Sequence, residues 1–184
     1  MPNKPRADVR YHAARAARSR RALLDALAEL LHEQSFGKIT VQDLLRRAHV
    51  GRATFYAHFQ DKDDLLLTSF VRMLEAMTRQ LDAEPPGSPR WVPVTEFFEH
   101  VRSARPLLQM FEESGRLPIM WRLATLHFAR SIEPRAGSAF VARFLAGALI
   151  EVLQWWLEAR EPPAARTVER DFHALAHAVV RSAR

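Results

Sequence analysis

Side chains suited to hydrogen bonding with a polar ligand are grouped between residues 52 and 62 of the 184-residue chain. Arg52 has a planar guanidinium whose fork of N–H donors matches paired acceptor atoms. Hydroxyl, imidazole and ammonium donors follow within ten residues, at Thr54, Tyr56, His58 and Lys62. These are residue types that can meet phosphates and the edges of nucleic-acid bases.

Two short predicted helices would position these side chains. One covers residues 40–48 and the other residues 52–59, and only the three residues His49-Val50-Gly51 separate them. A connection this short favours a large crossing angle, with Val50 filling the corner between the helices. The pattern therefore predicts a helix-turn-helix, whose second helix can enter a major groove.

The apolar residues of the second helix fix which face is available to a partner. Phe55 and Phe59 lie one helical turn apart and must point into the domain. Arg52, Thr54 and Tyr56 are then left near the N-terminal end of this helix and on its neighbouring face. We expect these three side chains to face a partner.

All of the excess positive charge lies in the first third of the sequence. The chain has 27 Lys and Arg against 21 Asp and Glu, a formal net charge of +6. Residues 1–62 contain twelve of the basic and six of the acidic side chains, so the remainder is neutral. This distribution is expected when one region faces a polyanion, although an arginine-rich composition alone would also raise the count.

Composition and motifs disfavour catalysis. Cysteine is absent, which removes disulfides, thiolate metal sites and cysteine nucleophiles. The sequence has no glycine-rich phosphate loop, no Gly-x-Ser-x-Gly and no His-Glu-x-x-His, so we expect neither enzyme activity nor a cofactor. His173 and His177 are four residues apart, but they have no third ligand nearby, so we expect no metal site.

The apolar segments are too short for a membrane span. The longest uninterrupted apolar run, residues 144–150, is far below the roughly 18 to 20 residues that a span requires. Residues 1–21 are rich in arginine but precede no apolar segment, unlike a secretory signal. The sequence therefore predicts a cytoplasmic protein with no membrane partner.

Helical periodicity extends over nearly the whole chain and predicts an all-α fold. Leucines at positions 23, 24, 27, 30 and 31 place one apolar stripe on a first helix, which ends near Phe36-Gly37. No alternation of apolar and polar residues is long enough for a sheet. Beyond the two short helices, Gly and Pro separate predicted helices at about 62–81, 93–103, 105–114, 118–133, 137–160 and 166–183.

Residues 39–65, ITVQDLLRRAHVGRATFYAHFQDKDDL, resemble the DNA-binding domain of TetR/AcrR-type transcriptional regulators. With the leucine-rich first helix, the resemblance covers about residues 18–70. His49 stands where the family usually has glycine, and Gly51 stands where it usually has serine. The positions that match the family pattern are Thr40, Leu44, Ala48, Val50, Thr54, Tyr56, His58, Phe59, Lys62 and Leu65.

The resemblance implies a role for each DNA-binding position. Arg52 is the best candidate for guanine recognition, although it could equally bind a phosphate or solvent, and Ala53 could contact a thymine methyl. Tyr56 is expected at a phosphate, with a structural phenol as the alternative. The phosphate-binding set implied by the family is Thr40, Gln42, His58 and Lys62, and the reading surface is Arg52, Ala53, Thr54 and Tyr56.

Residues 144–158, followed by Pro162-Pro163, resemble the penultimate helix of one branch of the same family. In that family the last two helices pack against their mates in a second subunit as a four-helix bundle. A two-fold homodimer would present two recognition helices to a palindromic operator in double-stranded DNA. The expected interface residues are Leu149, Val152, Trp156, Phe172, Leu175 and Val179.

The stretch between residues 97 and 128 is rich in large apolar side chains. The resemblance implies that they line a cavity for a small-molecule effector, and an ordinary core is the alternative. Two polar residues in apolar-rich helices, His127 and Glu151, could orient such a ligand. The expected ligand-binding residues are Phe97, Val101, Leu108, Phe111, Met120, Leu123, His127 and Glu151.

The sequence and its resemblance together predict a repressor that an effector releases from its operator. The alternative is a constitutive DNA-binding co-activator whose C-terminal domain binds a protein partner, for which an exposed Trp155 or Trp156 would be suited. The predicted organisation is a basic flexible arm (1–17), a helix-turn-helix DNA-binding domain (18–62) with a linker helix (62–81), and an effector-binding and dimerisation domain (82–184).

Overall fold

A computed structural model describes residues 5–80 and 88–183, and the regular structure in these ranges is helical throughout. The predicted all-α fold is therefore confirmed. A short 3-10 helix, Phe36–Lys38, follows the first α-helix. The α-helices are α1 (Pro5–Glu33), α2 (Val41–Ala48), α3 (Arg52–Tyr56), α4 (Lys62–Gln80), α5 (Val94–Ser103), α6 (Arg105–Glu113), α7 (Leu117–Ala136), α8 (Ala139–Glu158) and α9 (Ala165–Ser182).

The chain divides into two compact units, Met1–Phe70 and Val71–Arg184. In the first unit, α1 packs against α2 and α3. Its interior is formed by fully buried apolar side chains that recur at helical spacing on α1 and continue on the next three helices. They include Leu23, Leu27, Leu44, Phe55 and Leu65.

The first helix is longer than the sequence pattern indicated. Residues 5–17, predicted to be a basic arm, form the beginning of the 29-residue helix α1, and residues 1–4 of that arm lie outside the described residues. Neither glycine nor proline interrupts the sequence after Pro5, and alanine and arginine are strong helix formers. The helix therefore continues through residues 11–18, whose side chains are exposed.

In the second unit, α7 packs along α8, and α5 packs against α9. The inner face of α8 presents Leu145, Leu149, Leu153 and Trp156, all buried and spaced by one helical turn. α7 continues through Pro134 to Ala136, three residues beyond the predicted end. It stops at Gly137, which has φ of 68° and accepts the left-handed conformation that closes many helices.

The connection between α4 and α5 is only partly described. α4 is described as far as Gln80. Leu81 and most of the predicted break at residues 84–89 lie outside the described residues. The structure continues at Ser88, and Trp91 to Val94 are buried before and at the start of α5.

Among the helices described, α8 alone is long and apolar enough to cross a membrane by length and composition. Core helices of other folds meet the same criterion. Eight residues of α8 are buried in the second unit, which is the pattern of a core helix.

Candidate nucleic-acid interface

Thr40 begins α2 with a capping box that uses its own donors. Its Oγ1 accepts the N–H of Asp43 at 3.1 Å, while the Asp43 carboxylate accepts the Thr40 N–H at 3.0 Å and its hydroxyl at 2.7 Å. The hydrogen bond from the Thr40 hydroxyl, and to a smaller extent that from the Thr40 N–H, lowers the pKa of Asp43 below its ordinary value. The first-turn amides of Val41 and Gln42 are then the groups suited to an outside anion.

Arg47 joins α2 to α1, a role that the sequence did not indicate. Its guanidinium donates to Glu29 at 3.1 Å and to Glu33 at 2.7 Å. The hydrogen bond from Arg47 lowers the pKa of Glu33. Because both partners precede Arg47 by more than a dozen residues, only the folded arrangement of the two helices brings them together. The orientation of α2 on α1 is held in part by this pair of contacts.

The turn between α2 and α3 consists of the three predicted residues, His49, Val50 and Gly51. His49 ends α2 in the left-handed conformation, with φ of 53°, at the position where the family usually has glycine. Val50, predicted to fill the corner, is half-buried, and its N–H donates to Leu45 O at 3.1 Å. Gly51 is the N-cap of α3 and forms no side-chain cap.

α3 is anchored by two aromatic rings. Phe55 and Phe59 are both buried, and their ring centroids lie 5.9 Å apart. The guanidinium of Arg20 on α1 lies over the Phe59 ring, 5.7 Å from its centroid. The helix itself ends at Tyr56, three residues before the predicted end. These contacts fix the rotation of α3 about its axis.

The predicted reading surface lies on one short helix. Arg52 and Ala53 are exposed, Thr54 is half-buried, and Tyr56 has 53% of its surface exposed. Tyr56 packs edge-on against the ring of Phe55, with centroids 5.3 Å apart, so its phenol ring is supported while much of the side chain faces solvent. The structure thus brings the four predicted reading residues together.

Lys62 is committed to contacts inside the first unit. Its ammonium donates to Phe36 O at 3.1 Å and to Ile39 O at 2.9 Å, and it lies 4.6 Å from the centroid of the Phe36 ring. An ammonium has three N–H donors, so two of them hold the loop that precedes α2. This departs from the predicted role of Lys62 as a phosphate clamp.

Acidic residues around the start of α4 complete the motif. The Asp61 carboxylate accepts the N–H of Asp64 at 2.7 Å and so caps the first turn of α4. The Asp64 carboxylate in turn accepts the N–H of Gln60 at 3.0 Å. His58, predicted at a phosphate, is half-buried just before this cap, with its ring beside that of Phe59.

Three of the predicted dimer residues face the interior of their own unit. Leu149, Trp156 and Phe172 are buried, and the Trp156 indole N–H donates to Pro163 O at 2.7 Å. Val152 and Val179 are half-buried, and Leu175 is 67% exposed. The sequence pattern misled here because α8 is apolar on both faces. The large apolar residues exposed on α8 are instead Phe140, Phe144 and Trp155.

The predicted ligand residues differ in their burial in the second unit. Phe97, Val101, Phe111 and Met120 are buried, and Phe97 packs edge-on against Phe128 with centroids 4.9 Å apart. Leu108, Leu123 and His127 are half-buried. None of the eight lines any of the three clefts described in the structure, which measure about 770, 410 and 260 Å³. A cavity lined by these residues stays a prediction.

Glu151 and His173 have opposite surroundings in the second unit. Glu151 is exposed on α8, about half a turn from the buried stripe, so it does not point into the apolar interior. His173 is buried, and both of its ring nitrogens are hydrogen-bonded, to the Trp91 N–H and to Glu169 O. His177 shares that helix face, 3.2 Å from Pro89 O.

The amino-acid sequence is similar to a known protein family and to two curated proteins. Residues 23–68 match the family model described as bacterial regulatory proteins, tetR family. Over 59 residues the chain is 41% identical to the HTH-type transcriptional regulator YxbF of Bacillus subtilis (strain 168), covering 32% of this chain and 16% of that protein. It is 32% identical over 113 residues to an HTH-type transcriptional regulator of Haemophilus influenzae (strain ATCC 51907 / DSM 11121 / KW20 / Rd), covering 56% of this chain and 54% of that protein. The matches thus span about half the length of the second relative and less of the first.

Solved structures share the fold along most of the chain. A TetR transcriptional regulator from Streptococcus agalactiae 2603V is 20% identical with a TM-score of 0.52, covering 91% of this chain and 98% of that one. The TetR family repressor AlkX from Dietzia sp. strain DQ12-45-1b, described as implicated in n-alkane biodegradation, is 18% identical with a TM-score of 0.60, covering 89% and 94%. Residues 23–68 of the chain therefore match the tetR family of bacterial regulatory proteins, and the chain shares its fold with the two solved structures.

Proposed function

We propose that the chain is a DNA-binding transcriptional regulator whose helix α3 reads base edges. The observation that carries this proposal is the rotation of α3. Phe55 lies on its inner side against the buried ring of Phe59, which follows the helix, and Arg52 and Ala53 are exposed on the outer side. A guanidinium at the exposed start of such a helix can form the paired hydrogen bonds that distinguish guanine.

Contacts to phosphates would then orient the domain on the duplex. The first-turn amides of Val41 and Gln42 provide donors at the positive end of α2. His58 and the phenol of Tyr56 lie at the far end of the motif and provide two more. Lys62 is left out of this set because carbonyl oxygens of its own unit hold its ammonium.

The regulator is proposed to act as a homodimer through the outward faces of α8 and α9. Phe140, Phe144 and Trp155 recur along α8 on the side away from its buried stripe, and Leu175 is exposed on α9. Large apolar side chains grouped on exposed faces mark interaction surfaces. Two copies related by a two-fold axis would each bury this surface and would present two α3 helices to a palindromic operator.

Repression relieved by a small-molecule effector is the proposed mode of action in the cytoplasm. The second candidate is a DNA-binding co-activator that uses the same exposed surface to bind another protein. Trp155, 54% exposed, suits that role, whereas Trp156 is buried and does not. The oligomeric state of the purified chain separates the two. A stable dimer would already cover this surface, and a monomer would leave it open for a partner.

The experiment that tests DNA reading is selection of bound duplexes from a random pool by the full chain, followed by affinity measurement. We expect Arg52→Ala to weaken binding to the selected duplex by about 1–3 kcal/mol and to relax the preference at one base pair. Arg143→Ala, which removes an exposed charge from α8, is the matched control and should leave that preference unchanged. Failure to enrich any sequence would exclude specific reading by α3.

A further inference from the structure

Three arginines of the second unit meet at one small cleft. Arg79 comes from the last turn of α4, and Arg130 and Arg135 come from the C-terminal half of α7. All three are exposed, and the cleft measures about 260 Å³. Trp91, buried before α5, forms part of its wall.

The positive charge of this cleft is not balanced by any of the described side chains that line it. Among residues 5–80 and 88–183, no carboxylate lines the cleft and no ion pair is formed by these three guanidinium groups. Arg90, nearby in the sequence, shows the contrast, since it is held by both Glu96 and Glu169. Three like charges repel one another unless an anion lies among them.

The two hydroxyl groups that line the cleft already donate hydrogen bonds to backbone carbonyl groups. Thr78 donates to Leu74 O at 2.9 Å, and Ser131 donates to His127 O at 3.2 Å. The charged donors left for an occupant are therefore the guanidinium groups. Each of them can bind two oxygens at once, which suits carboxylate or phosphate.

We propose that this cleft binds a small molecule with two or more anionic oxygens, such as a di- or tricarboxylate or a phosphorylated compound. Its volume lies just below the range of about 300–1,000 Å³ usual for drug-sized ligands, so the occupant is small. The three guanidinium groups hold the anionic oxygens, and the Trp91 side chain packs against the remaining part. None of the eight predicted effector residues lines this cleft.

Such a ligand would join α4 to α7. The two helices already meet beside the cleft, where the Thr78 hydroxyl and His127 Nε2 are 3.1 Å apart. α4 is one continuous helix from Lys62 to Gln80, so its other end belongs to the helix-turn-helix unit. A ligand that favours one position of α4 over another changes DNA affinity. This consequence rests on the proposed DNA-binding function, whereas binding of the anion does not.

The test is calorimetric titration of the full chain with citrate, pyrophosphate and inorganic phosphate, in a buffer free of other multivalent anions and at constant ionic strength. We expect saturable binding of at least one of them. The double variant Arg130→Gln/Arg135→Gln should weaken it by about tenfold or more, because charge-assisted hydrogen bonds are lost. Preference for citrate or for pyrophosphate would identify the carboxylate or the phosphate class.

The matched control removes the same charge elsewhere. Arg122→Gln/Arg143→Gln changes two exposed arginines of α7 and α8 outside the cleft and should leave binding unchanged. Equal weakening by both double variants would show general charge attraction and would overturn the proposal, as would the absence of saturable binding. The proposed effect of the anion on DNA binding is tested separately, by measuring operator affinity with and without the bound anion. If the anion binds but operator affinity is unchanged, the coupling between the two sites is wrong and the anion site itself still stands.

Discussion

The imidazole of His173 accepts the backbone N–H of Trp91, with Nε2 and the amide nitrogen 2.9 Å apart. Its Nδ1 lies 2.8 Å from Glu169 O, to which it donates, so the ring is neutral. Glu169 also accepts the N–H of Thr95 at 3.0 Å and the Nε–H of Arg90. The segment before α5 is therefore held on α9 by a buried polar cluster.

This cluster predicts that stability falls as the pH falls below neutrality. Burial lowers the pKa of His173 below its ordinary value near 6.5, with the nearby charges of Glu169 and Arg90 opposing each other. Between that value and the lower folded pKa, the unfolded chain binds a proton that the folded chain does not. The free energy of unfolding therefore decreases with falling pH in that window. Urea unfolding from pH 7.5 to pH 5 measures it.

A matched pair of variants assigns that pH dependence to the residue. His173→Gln keeps an acceptor for the Trp91 amide but cannot be protonated, so we expect a flatter pH profile than in the parent chain. His32→Gln, at an exposed position on α1, should leave the profile unchanged. An identical slope in all three proteins would show that His173 does not contribute to the pH dependence.

Lys62 is predicted to matter more for stability than for DNA binding. Lys62→Met keeps most of the side-chain stem but removes the donors to Phe36 O and Ile39 O. We expect the free energy of unfolding to fall by about 1–3 kcal/mol, since two buried carbonyl groups lose a charged partner. Chemical denaturation of the full chain measures this change.

The salt dependence of DNA binding separates this role from a phosphate contact. A lysine that neutralises one phosphate contributes about one unit to the log–log slope of affinity against salt. We expect the slope to change by clearly less in Lys62→Met. Lys38→Met, which removes an exposed cation from the same unit, serves as the control for the loss of one charge. A full-unit drop confined to Lys62→Met would restore the phosphate contact that the sequence predicted.

His49 is predicted to be a position where glycine is preferred. Its φ of 53° lies in the left-handed region, which is unfavourable by about 1–2 kcal/mol for a residue with a Cβ. Glycine removes this strain, but it loses more backbone conformational entropy on folding than histidine does. We therefore expect His49→Gly to stabilise the domain by up to about 1 kcal/mol. His49→Val should destabilise it, because a β-branched side chain fits this conformation poorly. Thermal unfolding of both variants should give shifts of opposite sign.

Local signals in the sequence were enough to predict most of the helices. The three residues His49-Val50-Gly51 predicted a turn that the structure contains, and the spacing of Phe55 and Phe59 predicted that both rings are buried. These features depend on residues within one or two turns of each other. Their geometry follows from helical spacing alone.

Features that depend on distant residues were not predicted. Lys62 meets carbonyl oxygens 23 and 26 positions away, and no periodicity indicates such a pairing. Two of the interface residues predicted on α8, Leu149 and Trp156, are buried in their own unit for a related reason. Both faces of this helix are apolar, so the buried face is decided by where α7 and α9 pack. The cluster of Arg79, Arg130 and Arg135 likewise forms only when α4 and α7 come together.

The proposed dimer uses the exposed apolar side chains of α8 and α9, which can be tested apart from the buried ones. Leu175 is exposed and Leu149 is fully buried, so the same substitution should act differently at the two positions. Leu175→Arg should leave the protomer folded and yield monomers, because it places a charge in the interface without disturbing the core. Leu149→Arg should unfold the protein. Light scattering gives the mass and circular dichroism the helix content. A Leu175→Arg protein that remains a dimer would place the interface elsewhere.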